Sequence, residues 1–318
     1  MLIYDKVILD MSNFFFRVAA FYLKNLNEEE CLRLIKSNTL FQNYKENILN
    51  LSTQTMGTLY LLFDPLKSNG QLSERQKIKE GYKSTRDKNS PTAKLKADTL
   101  EKLYSHFVLE GNKGIVVVHS LEYEADDFTE KLTENGKCLM ITSDMDFSRY
   151  LEDGRVEMLT SGLSIKEDAI FTFKDFEKKY EFSPSIPSVT FWKALFGDKS
   201  DNIEGIFLSD KTKVLRSAAE EAKVQIKRMG EEKGNLQKEK REFFSGKGNF
   251  AKLNELLLLS NTKKSYEKLL DMASGNFQII ESLLPRESDI DIEKFFTKVD
   301  IEIKNTKKTK FTLNGVKK

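Results

Sequence analysis

GIVVVHSLEYEADDFTE, residues 114 to 130, runs from β-branched residues into three carboxylates within four positions, Glu124, Asp126 and Asp127. The continuous apolar run reads as a strand buried on both faces, and the acids fall where it gives way to a helix. A helix N-terminus favours negative charge, because its first N–H groups lack partners and its dipole is positive there. One acid would meet that need, so the other two ask for a further reason.

The same layout recurs along the chain. KVILD (6–10), TLYLLFD (58–64), CLMITSD (138–144) and RVEMLT (155–160) are short apolar runs separated by stretches long enough for crossover helices. That alternation predicts an α/β fold with a largely parallel central sheet covered by helices on both faces. After about residue 187 strand signals are expected to stop, and SVTFWKALFG, DKTKVLRSAAEEAKVQIKRM, AKLNELLLL and SYEKLLDMA predict a mainly helical region. Gly230, Gly234, Gly246 and Gly248 break its most charged part. Two regions are therefore expected, 1–190 and 191–318, and the charged stretch 220–248 reveals no role.

Lys and Arg number 51 against 49 Asp and Glu in 318 residues, so the net charge of +2 conceals segregation rather than absence of charge. Cys31 and Cys138 form neither a disulfide framework nor metal-ligand spacing, which predicts reduced thiols in a cytoplasmic protein. Asp10 and Arg17 interrupt the apolar N-terminus, and no apolar run reaches the roughly 18 residues of a membrane span, so no membrane partner is expected.

The first four predicted strands each end in or lead into acid: Asp10, Asp64, the Glu124, Asp126 and Asp127 group, and Asp144 with Asp146. GDKSDN (197–202) adds Asp198 and Asp201 after an aromatic helix. A single aspartate after a strand is usually a turn former. In an open parallel sheet, however, the loops beyond the strands' carboxyl ends share one crevice, so these acids are predicted to converge. Two like charges about 4 Å apart cost on the order of 4 kcal/mol at an effective dielectric of ~20, so cations must belong to the arrangement. His106 and His119, the only histidines, lie outside it. Oxygen-only donors suit Mg²⁺ or Mn²⁺ rather than zinc, and the surplus of carboxylates suggests two ions sharing an aspartate.

Between Asp64 and the third strand, Lys67, Arg75, Lys77, Lys79, Lys83, Arg86, Lys88, Lys94 and Lys96 outnumber Glu74, Glu80 and Asp87, with Tyr82 among them. A basic segment that springs from an acidic crevice and carries an aromatic residue reads as a groove for a nucleic-acid backbone.

With these residues in place, the chain resembles the 5′ nuclease family: flap endonucleases, phage 5′–3′ exonucleases and the 5′ nuclease domain of bacterial DNA polymerase I. The resemblance rests on Asp10 with Arg17, FD at 63–64, YKSTR at 82–86, EADD at 124–127, SDMDF at 143–147 and GDKSDN at 197–202, in the family's order. It implies a PIN-like catalytic core with a helical arch at about 65–110, followed by a helical DNA-binding region. It further implies one Mg²⁺ held by Asp10, Asp64, Glu124 and Asp126, and another held by Asp126, Asp144, Asp146 and Asp201, with Asp127 and Asp198 nearby or acting through water. Mn²⁺ is expected to substitute. Lys83 and Arg86 would approach the scissile phosphate, and Arg17, Lys77, Lys79 and Tyr82 would touch DNA. In the helix-hairpin-helix element, Lys211, Thr212 and Lys213 keep the helix start. The potassium ion it often carries has lost its proline to Glu204 and all glycines but Gly205.

The implied partner of a monomer is DNA with a 5′ end, flap or nick, with RNA–DNA primer junctions left open. A sliding clamp or single-strand-binding protein also stays open, although DIDIEKFF (289–296) lacks the glutamine of a clamp tether and reads better as core. The implied activity is Mg²⁺-dependent hydrolysis of phosphodiesters at 5′ ends or flaps. The alternative is a non-catalytic DNA-structure-binding module of the same fold. A haloacid-dehalogenase phosphatase would need a second aspartate where Ser12 stands, and a PIN-type ribonuclease would lack the arch and GDKSDN.

Overall fold

The computed structural model describes residues 3–23, 26–66, 90–162, 165–207, 213–260, 263–282, 284, 291–297, 299–302 and 310–313. Five strands run parallel: β1 (Lys6–Asp10), β2 (Thr58–Phe63), β3 (Ile115–His119), β4 (Cys138–Ile141) and β5 (Val156–Leu159), in the spatial order β5-β4-β1-β2-β3. These are the five runs that the apolar pattern predicts. Alternate residues feed two cores. Ile8, Leu62, Val118, Met140 and Met158 enter one, and Val7, Leu9, Leu61, Phe63, Val117, Leu139 and Ile141 enter the other. Both faces are apolar because both are covered, as a parallel sheet requires.

On the second face lie α1 (Met11–Leu23), α2 (Glu28–Ser37), α3 (Thr39–Gln54) and α4 (Pro91–Glu110). Ser90 caps α4 by accepting the Ala93 N–H, Pro91 pre-sets its first turn, and Leu95, Leu100, Leu103 and Phe107 are buried. Residues 91–110, the end of the stretch expected to form an arch, are thus a core helix, while 67–89 lie outside the described residues.

The first face carries α5 (Thr129–Thr133), α6 (Phe173–Tyr180) and α7 (Ile186–Phe196). Beyond them come α8 (Lys213–Glu231), α9 (Leu236–Ser245), α10 (Ala251–Ser260) and α11 (Lys263–Ser282), the helical region expected. The charged stretch 220–248 becomes the second half of α8 and all of α9. Its Phe243 meets Phe191 of α7 at 6.2 Å, Phe250 at 5.5 Å and Phe277 of α11 at 6.1 Å between ring centroids. The stretch without a readable role therefore buttresses the helix that leads into GDKSDN.

Strands do not cease at residue 187. β6 (Ile170–Phe171) pairs antiparallel with β5, β7 (Gly197–Asp198) with β8 (Ile203–Glu204), and β9 (Phe296–Thr297) with β3, and residues 299–302 pair with 310–313. Two-residue strands are too short to display a period of two, so pairing rather than pattern defines them. Phe295 meets Tyr123 at 5.8 Å and Phe128 at 5.5 Å, and Phe296 meets Tyr60 at 5.8 Å, so these phenylalanines serve the core rather than a tether. Cys31 and Cys138 are buried free thiols. No helix among the described residues is long and apolar enough to cross a membrane.

Candidate metal centre

Asp10 is the last residue of β1 and Asp64 follows β2, so parallel pairing of those strands sets both acids at the carboxyl edge of the sheet. The Asn13 amide donates to Asp10 Oδ1 at 3.1 Å, and the Thr142 hydroxyl donates to Oδ2 at 3.0 Å. Thr142 Oγ1 in turn accepts the Asp144 amide at 3.1 Å, which ties the end of β1 to the loop after β4. Asp64 accepts the Ser12 hydroxyl and, on Oδ1, the Ala125 amide at 3.1 Å, which ties β2 to the EADD turn. Burial first, then the charge of Asp64, push the Asp10 carboxyl up to about 6, against the pull of Asn13, Thr142 and Lys96.

The EADD turn is a 3-10 turn over Ala125–Phe128. Asp127 accepts the Glu124 amide at 2.8 Å while the Glu124 side chain accepts the Asp127 amide, a reciprocal capping box that holds both in place. Asp126, between them, is half-buried, and its negative charge is felt at Asp144.

After β4, Asp144 Oδ1 accepts the Asp146 amide at 2.9 Å. Asp144 opens onto a cleft of about 440 Å³ lined also by Asn13, Ser143, Met145, Gly197 and Lys199. Desolvation first, then the charge of Asp146, raise its carboxyl above the usual range, against the pull of Lys193. Buried Asp146 differs: its Oδ1 accepts Arg149 and also Lys193, the latter at 2.6 Å, and Lys193 reaches Asp198 Oδ2 at 2.5 Å. Burial alone would lower the Lys193 ammonium, but Asp146 and Asp198 outweigh it and raise it. Carboxylate oxygens of Asp146, Asp198 and Asp201 lie within 4.8 Å of one another.

The GDKSDN turn holds its shape through glycine. Gly197 sits at φ +86°, and a Cβ on it would stand 2.4 Å from the Gly205 nitrogen; a Cβ on Gly205 would stand 2.3 Å from the Phe196 carbonyl. Asn276 of α11 closes the turn by donating to the Ala194 and Glu204 carbonyls, both at 2.9 Å.

Among the residues expected at a site, the fold thus brings Asp10, Asp64, Glu124, Asp126, Asp144, Asp146, Asp198 and Asp201 to one edge of the sheet, with Asp127 engaged by the turn's own backbone. Arg17 donates to the Leu159 carbonyl at 3.0 Å and to Asn13 Oδ1 at 3.2 Å, and Lys213 opens α8 with its side chain exposed. Lys77, Lys79, Tyr82, Lys83, Arg86, Lys211 and Thr212 lie outside the described residues. Sequence reasoning missed Thr142, Arg149, Lys193 and Asn276. Lys193 did leave a signal: a lone lysine in the apolar helix TFWKALF must either reach solvent or find buried acids. Oxygen-only donors, with the Asp10 carboxyl pushed up by burial first and then by the charge of Asp64, fit a hard divalent cation such as Mg²⁺ or Mn²⁺.

Residues 5–181 match the family described as 5′-3′ exonuclease, N-terminal resolvase-like domain. The chain belongs to this family. A 5′-3′ exonuclease of Halalkalibacterium halodurans is 33% identical over 101 residues, covering 29% of this chain and 31% of that protein. The match therefore spans less than a third of this curated relative. Among solved structures, a bacteriophage T5 flap endonuclease with DNA and metal ions aligns over 85% of this chain and 99% of its own, at 16% identity and TM-score 0.44. Human GEN1 in complex with Holliday junction DNA aligns over 89% and 61%, at 13% identity and TM-score 0.44. The chain's own mainly parallel sheet, covered by helices on both faces, is the fold class expected from the sequence.

Proposed function

We propose that the protein is a divalent-metal-dependent, structure-specific 5′ nuclease that hydrolyses DNA phosphodiesters at 5′ ends or flaps. The observation that carries this reading is the gathering of acids from five separate strand ends and turns at one sheet edge, where Thr142 joins Asp10 to Asp144 and the Ala125 amide joins Asp64 to the EADD turn. Asp10, Asp64, Glu124 and Asp126 would hold one Mg²⁺, and Asp126, Asp144, Asp146 and Asp201 the other, with Asp127 and Asp198 in support. Bound there, such ions supply a water nucleophile at neutral pH and neutralise charge on the phosphate and leaving oxygen.

The chain's own groups then position the substrate. Phe16 leaves α1 half exposed beside this edge, with Lys96 Nζ 5.0 Å from its ring centroid, a surface on which a base can stack while the lysine meets its phosphate. Lys83 and Arg86, from the basic segment, are assigned to the scissile phosphate. Arg17, Lys77, Lys79, Tyr82, Lys211, Thr212 and Lys213 are assigned to flanking backbone.

Product mapping on 5′-labelled flap, nicked and RNA-primed duplexes, with Mg²⁺, Mn²⁺ or chelator, tests the reading. Metal-dependent release of short 5′ products is expected. Structure-dependent binding without cleavage under any metal would instead favour the DNA-binding module. The RNA-primed arm decides whether primers are substrates.

A further inference from the structure

His119 is not one of the acids, yet it closes β3 at the edge of the sheet where they gather, directly beside Phe63, its partner in the β2–β3 register. Its Nε2 accepts the Leu66 amide at 3.3 Å. An N–H can donate only to an unprotonated nitrogen, so this contact puts the ring proton on Nδ1. Burial lowers the imidazole, against the opposing charge of Asp64, and favours that neutral ring. The same ring meets Tyr104 of α4 with centroids 4.8 Å apart, and Tyr104 meets Phe63 at 5.6 Å. Leu66 and α4 are the two points that flank the basic segment: Leu66 precedes it, and Ser90 follows it and opens α4 by accepting the Ala93 amide. One side chain thus touches the support of both ends. The placement of α4 matters in its own right, because Lys96 on it acts on Asp10 and lies against Phe16.

We infer that His119 is a positioning residue: by holding Leu66 through Nε2 and α4 through Tyr104, it fixes where the basic segment leaves and rejoins the core relative to the crevice, and so where Lys83 and Arg86 stand with respect to the scissile phosphate. This rests on the assignment of Lys83 and Arg86 proposed above. A misplacement of about 1 Å at a group that acts on the reacting atoms can cost on the order of 100-fold in rate, so a lost anchor is large enough to measure. Leu66 is only two residues beyond Asp64, and the test must therefore separate this role from support of that acid.

Single-turnover cleavage of a 5′-flap duplex by saturating protein in Mg²⁺, and binding of the same duplex in chelator, read the role. His119→Phe keeps a ring against Tyr104 and loses the acceptor, whereas His119→Gln carries an amide oxygen close to the reach of Nε2 and keeps it. The Phe variant should cleave at least about tenfold more slowly with DNA affinity within a few fold, and the Gln variant should stay within about threefold of wild type in both. The Mg²⁺ concentration that gives half the maximal rate should be the same in all three, which a disturbed Asp64 would not allow. Melting establishes that each variant is folded, and hydrogen exchange at the Leu66 amide of wild type stands as a test even if Phe does not fold: protection is expected, and exchange as fast as in a free chain would overturn the anchor. Equal rates in folded His119→Phe and wild type, equal losses in the Phe and Gln variants, or a shifted Mg²⁺ requirement would overturn the role of His119 while leaving the nuclease reading intact. A folded wild type that cleaves no flap duplex in Mg²⁺ would overturn the nuclease reading and this inference with it.

Discussion

The two halves of the crevice are built from the same residue type and solve its repulsion in opposite ways. Around Asp10 and Asp64, burial first and then the charge of Asp64 push the Asp10 carboxyl up to about 6, against the pull of Asn13, Thr142 and Lys96. Around Asp146 and Asp198, the fold supplies Lys193 and Arg149 and the charges cancel within a salt-bridged group. In the first arrangement a buried carboxyl holds its proton more tightly than usual, and under the assignment proposed above a divalent ion would compete with that proton. The second is complete as folded, since a buried charge is stable only when paired and hydrogen-bonded. Acid clusters alone do not report metal demand; the cations placed among them do.

The harshest test of this contrast is chemical. Asp126→Asn or Asp144→Asn should lower single-turnover cleavage by several orders of magnitude while leaving DNA affinity within a few fold, because both acids are assigned to metal and not to substrate. Cleavage at near wild-type rate in either variant would break the assignment. Next in size is stability. Lys193→Met removes one partner from a buried group and should cost about 3 kcal/mol in chelator. Added Mg²⁺ should recover part of that loss, since the ion replaces the missing charge at Asp146 and Asp198. Denaturant unfolding with and without Mg²⁺ reads both effects, and a Lys193→Met protein as stable as wild type in chelator would remove the distinction between the halves.

Much of this was legible in the sequence. Five apolar runs, four of them ending in or near an acid, are enough to place a parallel sheet and a crevice, because the strand period and the βαβ connection leave few alternatives. The acids of that crevice are legible for the same reason. What was not legible depends on contacts between distant segments. Thr142 looks like an ordinary strand-end threonine until β1 and β4 are adjacent, and Asn276 is 82 and 72 residues from the carbonyls it holds. Arg149 sits three residues beyond Asp146 and reads as a surface charge, because nothing local says that its side chain is buried. Two-residue β9 gives no pattern at all and exists because Phe295 and Phe296 fill space beside Tyr123, Phe128 and Tyr60.

The pH dependence of stability gives a smaller effect with a definite sign. Asp10 titrates near 3.8 when unfolded and near 6 when folded, so between those values the folded state binds more protons. Stability in chelator should therefore fall as pH rises through about 4 to 6 and lose little more from this group above that, a change of about 3 kcal/mol. Bound Mg²⁺ competes with the same proton, so the gap between melts in Mg²⁺ and in chelator should widen as pH rises from 5 to 7. A gap that stays constant over that range would mean that the Asp10 side does not hold the ion.

The smallest expected effect separates Asp127 from its neighbours. Its Oδ2 accepts the Glu124 amide at 2.8 Å within a reciprocal capping box, so its first task is to fix the turn that presents Glu124 and Asp126. Asp127→Ala should then cost about 1 kcal/mol, the ordinary value of a lost cap, and the same amount in chelator as in Mg²⁺. Asp126→Asn behaves differently if the crevice is what stresses the metal-free fold: it should melt no lower than wild type in chelator and gain less from Mg²⁺, since ligand-linked stabilisation follows affinity. The pair of variants thus reads one residue as backbone support and the next as an ion ligand, although they are adjacent and chemically identical. A metal-dependent loss in Asp127→Ala would move that residue into the ion-binding set and shift the boundary between the two roles by one position.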